Sequence, residues 1–192
     1  MTRANRLRIA TQDDAPEIAA IYAPIVERTP ISFELEPPSA AGIARRIVTT
    51  LVQFPWLVAE AGEIVGYAYA GSHRERAAYR WSVDVSVYVA QSARRTGIGR
   101  RLYAALFAIL DAQGYFNAFA GVTLPNDASL GLHCAVGFEP VGVYRNVGYK
   151  FGVWHDTAWL QRALRRPSAT VAEPLAFSTI RDRCAAIIDA ER

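Results

Sequence analysis

Along the chain the spacing of apolar positions changes several times, and each change marks an element. Leu7-Arg8-Ile9-Ala10 alternates as a short edge strand does. Thr11 is placed to cap a helix whose first turn holds Asp13 and Asp14, where the helix dipole favours anions. Ile18, Ile21, Tyr22, Ile25 and Val26 follow at helical spacing, and Pro24 is expected to kink or end that helix early. Residues 29–38 read as a loop carrying one conspicuous aromatic, Phe33. Ser39 is expected to cap a second helix with the apolar face Ile43, Ile47, Val48 and Leu51, stopping before Pro55. From Trp56 the period drops to two. Residues 56–60 and 64–70 flank Ala61-Gly62-Glu63, a hairpin connection, and a polar loop, Ser72-His73-Arg74-Glu75-Arg76, follows. Val83, Val85, Val87 and Val89 then alternate with Asp84, Ser86 and Tyr88, which predicts a strand.

Residues 91–99 break that strand, and Ile98, Leu102, Leu106, Ile109 and Leu110 predict a helix ending near Gly114. A short strand over 119–123 leads to a brief helix, capped by Asn126 or Asp127 and running to Gly137. Residues 141–144 and 153–160 read as a closing hairpin. The order β-α-α-β-β-β-α-β-α-β-β implies an α/β (α+β) fold, a mixed sheet with helices on both faces. At Arg165-Arg166-Pro167 the composition shifts. Residues 1–164 are therefore expected to form one domain and 165–192 an extension, with residues 177–188 as a detached terminal helix.

Composition narrows the function classes. The 192 residues are 52% hydrophobic and carry a net charge of +3, which excludes disorder as the main state. No apolar run approaches the ~20 residues that cross a bilayer, and no signal-peptide core follows Met1-Thr2-Arg3-Ala4-Asn5-Arg6, so a cytoplasmic protein without membrane partners is expected. Cys134 and Cys184 stand far apart without histidines at ligand spacing, which argues against a disulfide framework and against a metal site. Of the 21 basic residues Lys150 is the one lysine, and arginine forks suit phosphate and carboxylate. They are scattered, and no basic stripe points to nucleic acid.

Arg94-Arg95-Thr96-Gly97-Ile98-Gly99 stands between a strand and a helix. Its glycines allow close backbone approach, and the helix N-terminus presents unpaired N–H groups to an anion. A dinucleotide fingerprint would need a third glycine and an acidic residue on the next strand, and a P-loop would need Gly-Lys-Ser/Thr.

Val87-Tyr88-Val89, the Arg95-Thr96-Gly97-Ile98-Gly99 turn and the amphipathic helix after it resemble the acetyl-CoA signature of the GNAT N-acetyltransferase superfamily. Tyr79-Arg80-Trp81, Leu124-Pro125-Asn126-Asp127, Asn146-Val147-Gly148-Tyr149-Lys150 and Gly152-Val153-Trp154-His155-Asp156 resemble its phosphinothricin N-acetyltransferase group. The similarity runs over residues 7–164. It implies a GNAT-type, largely antiparallel central sheet, acetyl-CoA as cosubstrate, no metal, a homodimer, and transfer of acetyl to the α-amino group of a small amino-acid analogue. By the same resemblance Val87, Tyr88, Val89, Arg95, Thr96, Gly97, Ile98, Gly99, Arg100 and Asn126 bind the cofactor. Asp84 is the general base, where the family carries glutamate, and His133 assists it. Phe33, Arg74, Arg76 and Tyr79 form the acceptor pocket, and Tyr144 is a candidate to protonate the leaving thiolate. Two other functions remain open at this point: acetylation of a peptide N-terminus or other amine, and acyl-CoA binding without turnover.

Overall fold

The computed structural model describes residues 6–190. The N-terminal segment searched for a signal core therefore lies, apart from Arg6, outside the described residues. Seven strands form one sheet in the order β1-β2-β3-β4-β5-β7-β6. They are β1 (Arg6–Ile9), β2 (Trp56–Glu60), β3 (Ile64–Ser72), β4 (Ser82–Val89), β5 (Asn117–Thr123), β6 (Glu139–Lys150) and β7 (Val153–Ala163). Every pairing is antiparallel except β4 with β5. The helices are α1 (Ala15–Arg28), α2 (Ala40–Gln53), α3 (Ile98–Gln113), α4 (Asp127–Ala135) and α5 (Phe177–Ala190). None of them is long and apolar enough to cross a membrane.

Period two divides the sheet between two cores. On β2, Leu57 and Ala59 join a cluster with Leu102, Leu106 and Leu110 of α3, while Trp56 and Val58 join Ile18 of α1 and Ile43 and Ile47 of α2. Both faces are covered, so the central strands are buried on either side.

Four expectations need correction. Pro24 does not end α1, which runs on to Arg28. Pro24 and Ala20, whose carbonyl loses its helical partner to the proline ring, are both exposed, so the missing bond falls on the solvent face rather than in the core. Val48 is 54% exposed, because the buried stripe of α2 follows Ile43 and Ile47 and Val48 lies about 100° round from Ile47. The hairpin β6–β7 is much longer than 141–144 and 153–160. A register shift between Tyr144 and Gly148 interrupts the alternation that would have announced it. Finally, α5 is not detached. Phe177, Ile180, Cys184 and Ile188 form a stripe at helical spacing and are all buried against the α3 side of the sheet. Gln113 pins the approach to α5, donating from Nε2 to the Gln53 and Leu175 carbonyls at 2.9 and 2.7 Å.

Candidate active site

Strands β4 and β5 pair over three positions, Ser82 with Asn117, Val83 with Ala118 and Asp84 with Phe119, and then separate. Two stronger partnerships pull them apart: β4 stays with β3 up to Gly66–Val89, and β5 follows β7 up to Thr123–Thr157. The β5-facing edge of residues 85–89 is left without a strand partner, and buried main-chain groups require one. Behind the fork lies a cavity of ≈ 60 Å³ lined by Val87, Tyr88, Tyr103, Thr123, Asn126 and His133. Two of the three predicted cofactor residues of β4, Val87 and Tyr88, thus meet Asn126 and His133 in one cleft, and Val89 does not line it.

The turn before α3 bends sharply: Arg95 has φ 61° and Gly97 φ 87°. A side chain is strained in that region, which accounts for glycine at 97. The turn delivers the N-terminus of α3 to the mouth of the fork, with the Arg95 and Arg100 side chains exposed beside it. Ile98 is buried, so its contribution to a ligand is its main-chain N–H. Thr96 spends its hydroxyl on the turn, donating to the Ala93 carbonyl at 2.6 Å. A Cβ on Gly99 would stand 3.1 Å from Leu132, so glycine there lets α4 close against α3.

Asn126 caps α4, its Oδ1 accepting from the Ser129 N–H at 3.1 Å, and this leaves its side-chain N–H groups for the cleft. His133 is fully engaged. Its Nδ1 donates to the Ser129 carbonyl at 2.7 Å, so its Nε2 accepts from the Tyr103 hydroxyl at 2.9 Å. Burial lowers the pKa of His133 and raises that of Tyr103, keeping the pair neutral. Tyr144, by contrast, sits on β6 against Trp159, outside this cleft.

Asp84 marks the last paired position before the fork and projects to the sheet face opposite Val83 and Val85, which pack with α3. Its carboxylate accepts from His73 Nδ1 at 2.6 Å. Burial raises the Asp84 pKa, and His73 and Arg74 oppose that rise. The His73 ring stacks on Phe119 with centroids 4.1 Å apart and meets Tyr79 and Trp159 edge-on, each at 6.0 Å. The Arg74 guanidinium lies over the Trp159 ring at 5.5 Å. Of the expected acceptor residues, Arg74 and Tyr79 therefore gather round Asp84. Arg76 is exposed, and its side chain forms no hydrogen bond or ion pair among the described residues. Phe33 belongs to the β6–β7 side, tilted on His155 at 6.3 Å and seated over Gly148. Sequence reasoning passed over His73 and Tyr103. The first stood in a polar loop and the second on a helix face, and each acquires its partner through tertiary contact.

A family model described as an acetyltransferase (GNAT) domain matches residues 7–159. The chain belongs to the GNAT acetyltransferase family. It is 42% identical over 170 residues to a phosphinothricin N-acetyltransferase of Alcaligenes faecalis, covering 87% of this chain and 86% of that one. It is 38% identical over 158 residues to an L-methionine sulfoximine/L-methionine sulfone acetyltransferase of Pseudomonas aeruginosa, covering 81% and 92%. The fold superimposes on a crystal structure of a GNAT phosphinothricin acetyltransferase from Sinorhizobium meliloti in complex with AcCoA. The TM-score is 0.82 and the identity 36%, over 92% of this chain and 99% of that one. As a GNAT acetyltransferase, this chain has at its β4/β5 fork an unpaired main-chain edge, a positive helix terminus and flanking arginines, which together fit a pantetheine arm carrying a pyrophosphate.

Proposed function

We propose that this N-acetyltransferase moves the acetyl group of acetyl-CoA to the α-amino group of a small amino-acid analogue of the phosphinothricin or methionine sulfoximine type. The observation that carries this reading is the position of Asp84. It stands at the fork where the free edge of β4 begins, so a carboxylate and a cofactor groove meet at one point. The names of the A. faecalis and P. aeruginosa relatives support the acceptor class.

In this reading Val87, Tyr88 and Val89 hold the pantetheine through main-chain hydrogen bonds, and an amide there steadies the oxyanion of the tetrahedral intermediate. Residues 95–100 hold the pyrophosphate, and Asn126 meets the pantetheine from the side. Asp84 supplies the base that frees the amine, directly or through water, and the amine attacks the thioester carbonyl. Arg74, Arg76 and Tyr79 receive the acid groups of the acceptor, and Phe33 closes the pocket. His133, with no free nitrogen, keeps Tyr103 oriented in the cleft rather than exchanging protons with the amine. Residues 1–164 are the acetyltransferase domain that carries this chemistry in the cytoplasm, with resistance to such analogues as its use. Tyr149, Phe151, Val153 and Trp154, each more than half exposed at the end of β6–β7, support a homodimer.

Thiol release measured across amino acids, sulfoximines, phosphinothricin and peptides tests the proposal. Turnover with the analogues well above that with peptides is expected. Asp84→Asn should lower kcat by ~10²–10⁴ and leave acetyl-CoA affinity unchanged. A preference for peptides would replace the acceptor, and acetyl-CoA binding without thiol release from any amine would leave a binding module.

A further inference from the structure

We infer that His73 is the group that accepts the ammonium proton, with Asp84 as the carboxylate that orients it and balances its charge. This deepens the reading of the fork as an acetyl-transfer site and rests on it.

The geometry is that of an imidazole held for proton transfer. An ionised carboxylate only accepts, so the 2.6 Å contact makes His73 Nδ1 the donor and leaves Nε2 as the lone-pair nitrogen. Nε2 forms no hydrogen bond among the described residues and is not sealed from solvent. The ring cannot turn freely, because Phe119 stacks on one face and Tyr79 and Trp159 meet it edge-on. The His73 side chain is 10% exposed against 37% for Asp84, so the ring is fixed in the wall rather than waving in solvent. With Nδ1 committed to Asp84, the imidazole keeps a second nitrogen whose lone pair can take a proton from the amine. Other charged or titratable groups around the pair are Arg74 from the same loop, Tyr79 from the following turn and Tyr69 from β3. The neighbours from β5 and β7, Phe119 and Trp159, do not titrate.

The step balances without a further reactant. One proton leaves the substrate ammonium for Nε2, giving a neutral amine and an imidazolium paired with Asp84. The amine nitrogen bonds to the acetyl carbon and the carbon–sulfur bond breaks. The nitrogen's second proton ends on the CoA sulfur, and the imidazolium returns its proton to solvent.

The test separates proton acceptance from mere positioning of Asp84. His73→Asn keeps a donor toward Asp84 but has no basic nitrogen. It should lose ~10²-fold in kcat at neutral pH, recover as pH rises and free amine accumulates, and bind acetyl-CoA as the parent does. Added imidazole should restore turnover to His73→Ala. Nitrogen NMR of the wild-type protein, assigned by the resonance missing in His73→Asn, should find Nδ1 protonated and Nε2 bare. An asparagine variant within threefold of the parent, failure of imidazole rescue in a folded His73→Ala, or a neutral His73 ring carrying its proton on Nε2 would each overturn the proposal. The comparison uses whichever amine the wild type turns over. A wrong acceptor class therefore shows in the wild-type panel, and a wrong role for His73 shows in the ratio of variant to parent.

Discussion

Gly148→Ala is expected to damage the acceptor pocket without damaging the fold. A Cβ at this position of β6 would stand 2.3 Å from Phe33 Cε2 and Cζ and 2.7 Å from Cδ2. Carbon atoms settle at ~3.5–4.0 Å, so the ring must retreat by roughly 1.2–1.7 Å. Phe33 is 39% exposed and its ring tip is what the methyl meets, so it can swing outward. Replacing a strand glycine by alanine gains about 0.5–1 kcal/mol of backbone entropy. Losing the contact of Phe33 with His155 costs about 0.5–1.5 kcal/mol. The two nearly cancel, and the melting temperature should stay within a few degrees of the parent. Activity should not be spared, because displacing a pocket group by ~1 Å can cost up to ~10²-fold in rate. We expect kcat/KM for the amine to fall by ~10–10²-fold while calorimetric acetyl-CoA affinity holds. Phe33→Ala should do similar harm, and adding Gly148→Ala to it should do little more, since both act through one ring. A single variant with parental kcat/KM, or a double variant whose losses multiply, would refute the placing of Phe33 in the pocket.

Gly97→Val forces a branched side chain into φ 87° at the mouth of α3 and should weaken acetyl-CoA at least ~10-fold, or ~1.4 kcal/mol; unchanged affinity in a folded variant would remove the pyrophosphate assignment. A chain ending at Arg166 loses the buried Phe177, Ile180 and Ile188, each worth about 1.5–3 kcal/mol, and should melt far below the parent, which heating followed by circular dichroism would record. His133 is held neutral by burial, with its folded pKa below the unfolded value, so the unfolded chain binds the proton more readily. Stability should therefore fall as pH drops below about 6.5, and His133→Gln should flatten that part of a melting-temperature profile.

Local periodicity was enough for the element order. The alternating valines of β4, the leucine stripe of α3 and the Ser39 cap, whose Oγ accepts from the Gly42 N–H at 3.1 Å, each depend on residues within a few positions. The turn before α3 was legible for the same reason, since its glycines stand between an alternating strand and a helical stripe. Where such local signals fail, the reason is again physical. The register shift in β6 hid a twelve-residue strand from a period-two reading. The stripe of α5 was visible, but nothing along the chain says which surface a stripe will cover.

The sequence by itself thus determined the fold class, the family and the residue types available for acyl transfer, because these follow from spacing and from short motifs. Tertiary structure decided which of those residues come together. Asp84 becomes a fork residue because β4 and β5 are drawn to different partners after three shared positions. His73 becomes its neighbour because the β3–β4 hairpin register, with Gly71 opposite Asp84, brings the following loop back over Phe119. Both nitrogens of His133 find partners because the turn of α4 and the side of α3 meet at its ring. The His73–Asp84 and Tyr103–His133 hydrogen bonds join residues 11 and 30 positions apart, and only the folded chain sets the distances between them.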